Sequence, residues 1–187
     1  MAGFIRQAGY GYSGRTEGSA AVEFALMIFP FIFITFAIIE LSLFFAASNM
    51  MESGINASAR MIKTGQLQQQ AGADPETAFR QEVCEHLFGL IQCDKVGIEV
   101  IALPDDDFGN AGDYAPVYDE DGNLSPRDFD AGSSSSVVLI RAAYRYKLLT
   151  PFFANVFSKE PDNTIPIMTT VVLQTEPYDF TEEASGS

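Results

Sequence analysis

The feature that most constrains the fold is an apolar run near the N-terminus. From Phe24 to Ala47 the sequence is interrupted only by Thr35, Glu40 and Ser42. As a helix the run would be about 36 Å long at ~1.5 Å per residue, and a bilayer core needs roughly 20 residues. The run therefore predicts a membrane-spanning helix. A buried helix of a soluble protein is the alternative, although soluble helices rarely carry such a run.

Two residues of the predicted span are unusual for a helix that faces lipid. Glu23 stands at its start, and Pro30 lies inside it, where proline removes a backbone hydrogen bond and kinks a helix. A carboxylate at this position either reaches the lipid headgroups or pairs with a cation of a partner, because an unpaired charge in lipid costs roughly a few kcal/mol or more. The sequence leaves both roles open.

The residues around the start of the span resemble a known family. Gly18 is followed five residues later by Glu23 and then by a long apolar helix, which looks like a class III (type IV prepilin) leader. Residues 18–25, together with residues 48–64, resemble the TadE-like proteins, the pseudopilins of tight-adherence (Flp) pilus systems. The likeness is strongest over residues 16–65 and looser over the rest of the chain.

This resemblance implies a processing site and a subunit contact. A membrane prepilin peptidase would cut after Gly18 and leave Ser19 as the new N-terminus; glycine suits such a site because it lets the backbone enter a narrow cleft. The carboxylate of Glu23 would then meet the N-terminal ammonium of a neighbouring subunit, since opposite charges attract strongly in a low dielectric. Subunit contacts are expected at Glu23, Phe24 and Pro30, and Phe24 stands where some family members have Tyr.

The resemblance also implies a location and a set of partners. The chain would cross the bacterial inner membrane once, with the leader in the cytoplasm and the residues after Ala47 in the periplasm, and it would associate with the pilus. Charge alone does not orient it, because Arg6 and Arg15 precede the span and Arg60 and Lys63 follow it. The implied partners are the prepilin peptidase, other pseudopilins, the major pilin, the inner-membrane assembly platform and membrane lipid.

An ordinary secretory signal is the alternative interpretation of the N-terminus. Ala46, Ala47 and Ser48 fit a small-residue cleavage site. The apolar run before this site is long for a signal core, however, and Glu40 interrupts it. Residues 1–18 show no apolar period, so we expect a leader with no fold of its own.

The whole chain predicts an α+β protein in three parts: a leader (1–18), a transmembrane and amphipathic helix (19–65) and an extracytoplasmic domain (66–187). One helix should run from about residue 20 to residue 64, because an apolar stripe repeats at helical spacing after the span: Met51, Ile55, Ala59 and Ile62. This outer half either packs on its own domain or contacts another subunit.

A linker (66–73) and a second helix begin the predicted domain. Asp74 and Pro75 are a cap and a first helical residue. The inner face is expected to be apolar: Phe79, Val83, Leu87, Leu90 and Ile91. We interpret His86 as a structural residue. Cys84 and Cys93 predict a disulfide in an oxidising compartment, with two free core thiols as the alternative.

Three antiparallel strands packed on the helices are predicted at 96–103, 137–149 and 164–175. On the second strand, alternate positions form a basic stripe that faces the acidic loop described next, another subunit or water: Arg141, Arg145 and Lys147. The segment 150–157 is expected in the core or at the membrane surface.

The acidic loop, residues 104–136, carries nine acids and a single basic residue, Arg127. Loops of this length are either functional or mobile. Four of its residues weakly fit a calcium loop: Asp119, Asp121, Asn123 and Asp130. Leu124 stands where an EF-hand needs glycine, and a hairpin tip at Asp121 and Gly122 explains the string more simply. We therefore predict no metal site.

Charge and motifs limit the function classes. The net charge of −14 argues against nucleic acid as a partner. The sequence has neither a nucleophile elbow nor a phosphate loop, so we expect no enzyme and no cofactor. The prediction is a pseudopilin-like protein that primes or scaffolds Flp/Tad pili. The alternative is a membrane-anchored binding or adhesive module that uses the acidic loop as its contact surface.

Overall fold

The computed structural model describes residues 16–69, 74–150, 158 and 162–178. The chain forms two compact units, Met1–Ile39 and Glu40–Ser187. The predicted leader up to residue 15, the end of the predicted linker and all but the first residue of the predicted segment 150–157 lie outside the described residues.

Helix α1 spans Thr16–Lys63 and confirms the predicted long helix, which begins about one turn earlier than expected. Pro30 lies inside it. In the first unit its large apolar side chains are exposed, as a helix surrounded by lipid requires; Phe29 and Met27 are 77% and 73% exposed. By length and composition this helix is able to cross a membrane.

In the second unit, the C-terminal part of α1 belongs to the core. The predicted apolar stripe is buried: Met51, Ile55, Ala59 and Ile62. It packs within its own domain, which was one of the two predicted roles. Gly54 allows the helix that contains Val83 to come close to α1. A Cβ at Gly54 would lie 3.1 Å from the carbonyl oxygen of Val83 and 3.3 Å from Cβ of His86.

The prediction of a linker directly after α1 is wrong in its first half. Gly65 has a positive φ of 72°, which ends α1, and a short helix α2 follows at Gln66–Gln69. Leu67 is buried in the main core, and the Gln68 side chain donates a hydrogen bond to the carbonyl oxygen of Ala131 at 3.3 Å, so this turn is fixed against the domain.

Helix α3 spans Pro75–Glu85 and begins as predicted, with Asp74 accepting a hydrogen bond from the Thr77 backbone N–H at 3.0 Å. The Thr77 hydroxyl and N–H hold the pKa of Asp74 below its usual range. The predicted inner face continues past the observed helix end: Leu87, Leu90 and Ile91 lie in the loop that follows, although Leu87 and Ile91 remain buried. The chain leaves the helix because His86 caps it and Gly89 adopts a positive φ.

The sheet has the predicted three antiparallel strands, β1 (Gly97–Ala102), β2 (Val137–Lys147) and β3 (Thr164–Gln174), in the order β1-β2-β3. Alternate residues of β2 face opposite sides. One side joins the main core with the helices: Val138, Ile140, Ala142, Tyr144 and Tyr146. The other side forms a smaller cluster with β1 and the acidic loop: Val137, Leu139, Ile101 and Leu103, against Ala111 and Tyr114.

Candidate functional site

The predicted cleavage and contact residues lie in the exposed first turns of α1. The Ser19 hydroxyl donates a hydrogen bond to the carboxylate of Glu23 at 3.2 Å. A side chain added at Gly18 would meet no atom within 4 Å. Phe24 is 65% exposed. These residues are therefore accessible on the helix surface, while cleavage after Gly18 and subunit contacts at Glu23, Phe24 and Pro30 stay predictions.

A second carboxylate of α1, Glu40, is only 4% exposed. It accepts hydrogen bonds from the backbone N–H groups of Leu149 at 2.8 Å and Thr150 at 3.1 Å, and from the Thr150 hydroxyl. These donors satisfy both carboxylate oxygens, which allows the charged group to be buried. We call this arrangement the Glu40 clasp.

The Glu40 clasp fixes the end of β2 beside α1. Leu148, the first residue after β2, is buried, and Tyr146 packs edge-on against Phe44 with ring centroids 5.8 Å apart. Burial raises the pKa of Tyr146, and the negative charge of Glu40 raises it further. Sequence reasoning treated Glu40 only as an interruption of the apolar run, although an acid inside such a run is itself a signal of a functional contact.

A third carboxylate, Glu99 on β1, is fully buried between two arginines. Its Oε2 accepts a hydrogen bond from Arg141 Nη1 at 2.6 Å, and its Oε1 accepts one from Arg127 Nη1 at 2.7 Å. Arg141 stands directly opposite Glu99 in the register of β1 and β2. We call these three residues the Glu99 cluster.

The Glu99 cluster ties the acidic loop to the sheet. Arg141 Nη2 donates to the carbonyl oxygen of Tyr114 at 2.7 Å, and Arg127 Nη2 donates to that of Ala115 at 3.1 Å. The guanidinium of Arg127 also lies over the Tyr114 ring, 5.7 Å from its centroid. Of the three orientations predicted for the basic stripe, Arg141 therefore takes the one toward the acidic loop.

The next residue of the basic stripe, Arg145, binds the turn before β3. It pairs with Asp162 at 2.9 Å and donates to the hydroxyl of Thr164. The Thr164 hydrogen bond and the Arg145 charge hold the pKa of Asp162 below its usual range. Lys147, the last residue of the stripe, is exposed.

The four calcium candidates lie in two separate turns. Asp119 accepts hydrogen bonds from the backbone and side-chain nitrogens of Asn123, which hold the pKa of Asp119 below its usual range. Gly122, with a φ of 77°, closes this hairpin tip beside Asp121. Asp130 instead accepts from the N–H of Gly132. Within the described ranges, no three His, Cys, Asp or Glu residues are grouped as metal ligands.

An open cleft of about 760 Å³ lies between the hairpin tip and the ends of β2 and β3. Its lining carries charges of both signs: Lys95, Arg145 and Lys147 with Asp119, Asp121 and Asp162. Chemically, the cleft offers hydrogen bonds and paired charges to a polar surface.

The predicted disulfide between Cys84 and Cys93 is confirmed, with Cα atoms 5.6 Å apart, and the alternative of two free thiols is wrong. It joins the last turn of α3 to the short turn before β1 and closes the loop that contains His86. The Nδ1 atom of His86 lies 3.0 Å from the carbonyl oxygen of Glu82, a local contact within this helix end.

Residues 18–60 match the family model of the TadE-like proteins, which confirms the resemblance predicted from the same stretch. No curated protein and no solved structure matches the chain. The match indicates a membrane protein associated with Tad/Flp pili, and α1 supplies an apolar helix that fits a single pass. It covers Gly18, Glu23 and Glu40, and it ends before the strands and the acidic loop that form the Glu99 cluster.

Proposed function

We propose that this protein is a pseudopilin-like subunit that primes or scaffolds the assembly of Tad/Flp pili. One observation carries the proposal: the TadE-like match extends from Gly18 through the apolar span and into the amphipathic half of α1. The protein acts in this proposal through contacts and not through catalysis.

The proposed topology has residues 1–18 in the cytoplasm, one pass through the inner membrane and the α+β domain in the periplasm. The Cys84–Cys93 disulfide supports an oxidising location for the domain. The exposed apolar surface of the first half of α1 supports lateral contacts with other pseudopilins, the major pilin and the assembly platform.

The processing step is tested by the intact mass of the membrane-extracted protein, expressed with and without the cognate prepilin peptidase. We expect loss of residues 1–18 only when the peptidase is present. Gly18→Val should prevent the cut without disturbing the helix, because the space around Gly18 is open. Ser19→Ala is the matched control and should still be cut. Loss of the chain through Ser48 would instead mean an ordinary signal peptide and would overturn the proposal.

The assembly step is tested through Glu23, which remains exposed at the start of the span. Glu23→Gln should abolish or strongly reduce piliation while leaving the amount of membrane-bound protein unchanged, since it removes a charge that a neighbouring N-terminus would need. Glu52→Gln, an exposed acid farther along the same helix, is the control and should leave piliation intact. Equal piliation in both variants would contradict the role of Glu23.

A binding or adhesive module is the second candidate function, and the ordered attachment of the acidic loop favours it. The Glu99 cluster fixes the loop while leaving acids exposed. Deleting residues 104–136 would remove Arg127 from Glu99, so amide substitutions are the cleaner test: Asp113, Glu120, Asp121 and Asp128. Normal piliation with lost adhesion would support this function.

A further inference from the structure

Two contacts show the direction in which the end of β2 runs along α1. Tyr146 packs against Phe44, while Leu149 and Thr150 bind Glu40. From Tyr146 to Thr150 the chain advances four residues, while its contact on α1 shifts back from Phe44 to Glu40. This shift is also four residues, about 6 Å at 1.5 Å per residue. The end of β2 and the residues after it therefore run along α1 in the direction of its N-terminus.

The span itself fixes the depth that this chain reaches. A bilayer core needs roughly 20 residues, so within the apolar run from Phe24 to Ala47 the hydrocarbon core ends between about Leu43 and Ala47. Glu40 therefore belongs to the outer edge of the hydrocarbon core. Water is scarce at that depth, and a carboxylate there requires donors from the protein. The Glu40 clasp supplies these donors.

The residue that the clasp brings to this depth is apolar and exposed. Leu149 is 70% exposed, and on α1 Leu41 and Phe45, four residues apart on one helix face, are 44% and 61% exposed. At the boundary between acyl chains and headgroups these side chains would be buried, as are the apolar residues of peripheral membrane elements.

We infer that the domain rests directly on the outer surface of the phospholipid bilayer, with Leu149 inserted at the boundary between headgroups and acyl chains and Glu40 sealed from lipid by Leu149 and Thr150. This depends on α1 crossing the membrane and is independent of any role in pilus assembly. The clasp thus holds Leu149 beside Glu40 at this boundary.

The test uses the full chain in vesicles of phosphatidylethanolamine and phosphatidylglycerol, with a fluorophore on a single introduced cysteine and quenchers at defined depths on the lipid chains. Leu149→Cys is the test site. Phe88→Cys is the matched control, because Phe88 is 69% exposed and follows His86, which lies beside Gly54. Gly54 is 14 residues from Glu40, or about 21 Å along α1. Phe29→Cys reports insertion of the span.

We expect the Leu149 label to be quenched most by shallow quenchers, at least about twofold more strongly than the Phe88 label, since interfacial residues lie only ~5–10 Å deep. The Phe29 label should respond most to deep quenchers. Quenching at position 29 without quenching at position 149 would overturn the inference, as would equal quenching at positions 149 and 88. An unquenched label at position 29 would remove the span on which the inference depends and overturn it as well.

Discussion

Glu40 and Glu99 are the same residue type with almost the same burial, yet the protein stabilises them in different ways. Glu99 lies in the sheet between two guanidinium groups. Glu40 lies in the apolar run, and its donors among the described residues are neutral: two backbone N–H groups and a hydroxyl. Arginine side chains are costly at membrane depth, whereas backbone donors add no charge there. The difference shows that each carboxylate is satisfied by the donors that its surroundings tolerate.

The largest expected effect is at Glu99. Glu99→Gln preserves the shape but leaves two arginines facing a neutral group, one of them buried, and breaking a buried ion pair costs about 3–5 kcal/mol of unfolding free energy. Denaturation of the detergent-solubilised protein, followed by near-UV circular dichroism, measures it. Glu120→Gln on the exposed hairpin tip is the control, with an expected change within about 0.5 kcal/mol. A loss at Glu99 as small as that of the control would mean that the cluster is not an electrostatic unit.

Glu40→Gln should have a smaller effect, about 1–2 kcal/mol, because it weakens charge-assisted hydrogen bonds without leaving a cation unpaired. The same denaturation experiment measures it, with Glu52→Gln as the control. If Glu40→Gln destabilises the protein as much as Glu99→Gln does, the two carboxylates are not held by different kinds of interaction.

Arg127→Ala sharpens the description of the Glu99 cluster. The Arg127 side chain is 37% exposed, against 6% for Arg141, so water can take its place and the expected loss is about 1 kcal/mol. The acidic loop should be cut faster in limited proteolysis, because its tie through Ala115 is lost. Arg127→Lys, which keeps the charge but not the forked geometry, should be intermediate. Unchanged proteolysis would show that Arg141 alone fixes the loop.

The smallest expected effect belongs to the partly exposed pair of Asp162 and Arg145. The folded pKa of Asp162 lies below its value of 3.8 in an unfolded chain, so the unfolded chain takes up the proton first. The contribution is present above that value and lost as pH falls through the folded pKa. Melting temperatures from pH 6 to pH 2 should therefore fall less steeply for Asp162→Asn than for the natural chain, and identical slopes would exclude a contribution from this pair.

Local signals in the sequence were sufficient for most of the fold. Apolar periods predicted α1 and the three strands, and Asp74 and Pro75 predicted the start of α3. The expected location in an oxidising compartment predicted the Cys84–Cys93 disulfide. The predicted end of α3 was wrong, because the helical spacing of apolar residues continues through Leu90 and Ile91. Their positions depend on the loop that the disulfide closes, which the spacing does not encode.

The candidate site was harder to predict, because its contacts connect distant parts of the chain. Glu40 and Thr150 are 110 residues apart, and no period or motif links them. The alternation of residues along β1 placed Glu99 only on the less apolar face of that strand. Its pairing with Arg141 depends on strand register, and its pairing with Arg127 depends on the path of the acidic loop.

The distance in sequence between Glu40 and Thr150 also sets an order of events during biosynthesis. Ribosomes add about 5–20 residues per second, so the 110 residues between them take roughly 5–20 s to synthesise. During that interval α1 is already available for membrane insertion, while the donors for Glu40 do not yet exist. The Glu40 clasp is therefore among the last contacts of the protein to be completed, and it closes only after the end of β2 has been delivered to the same side of the membrane.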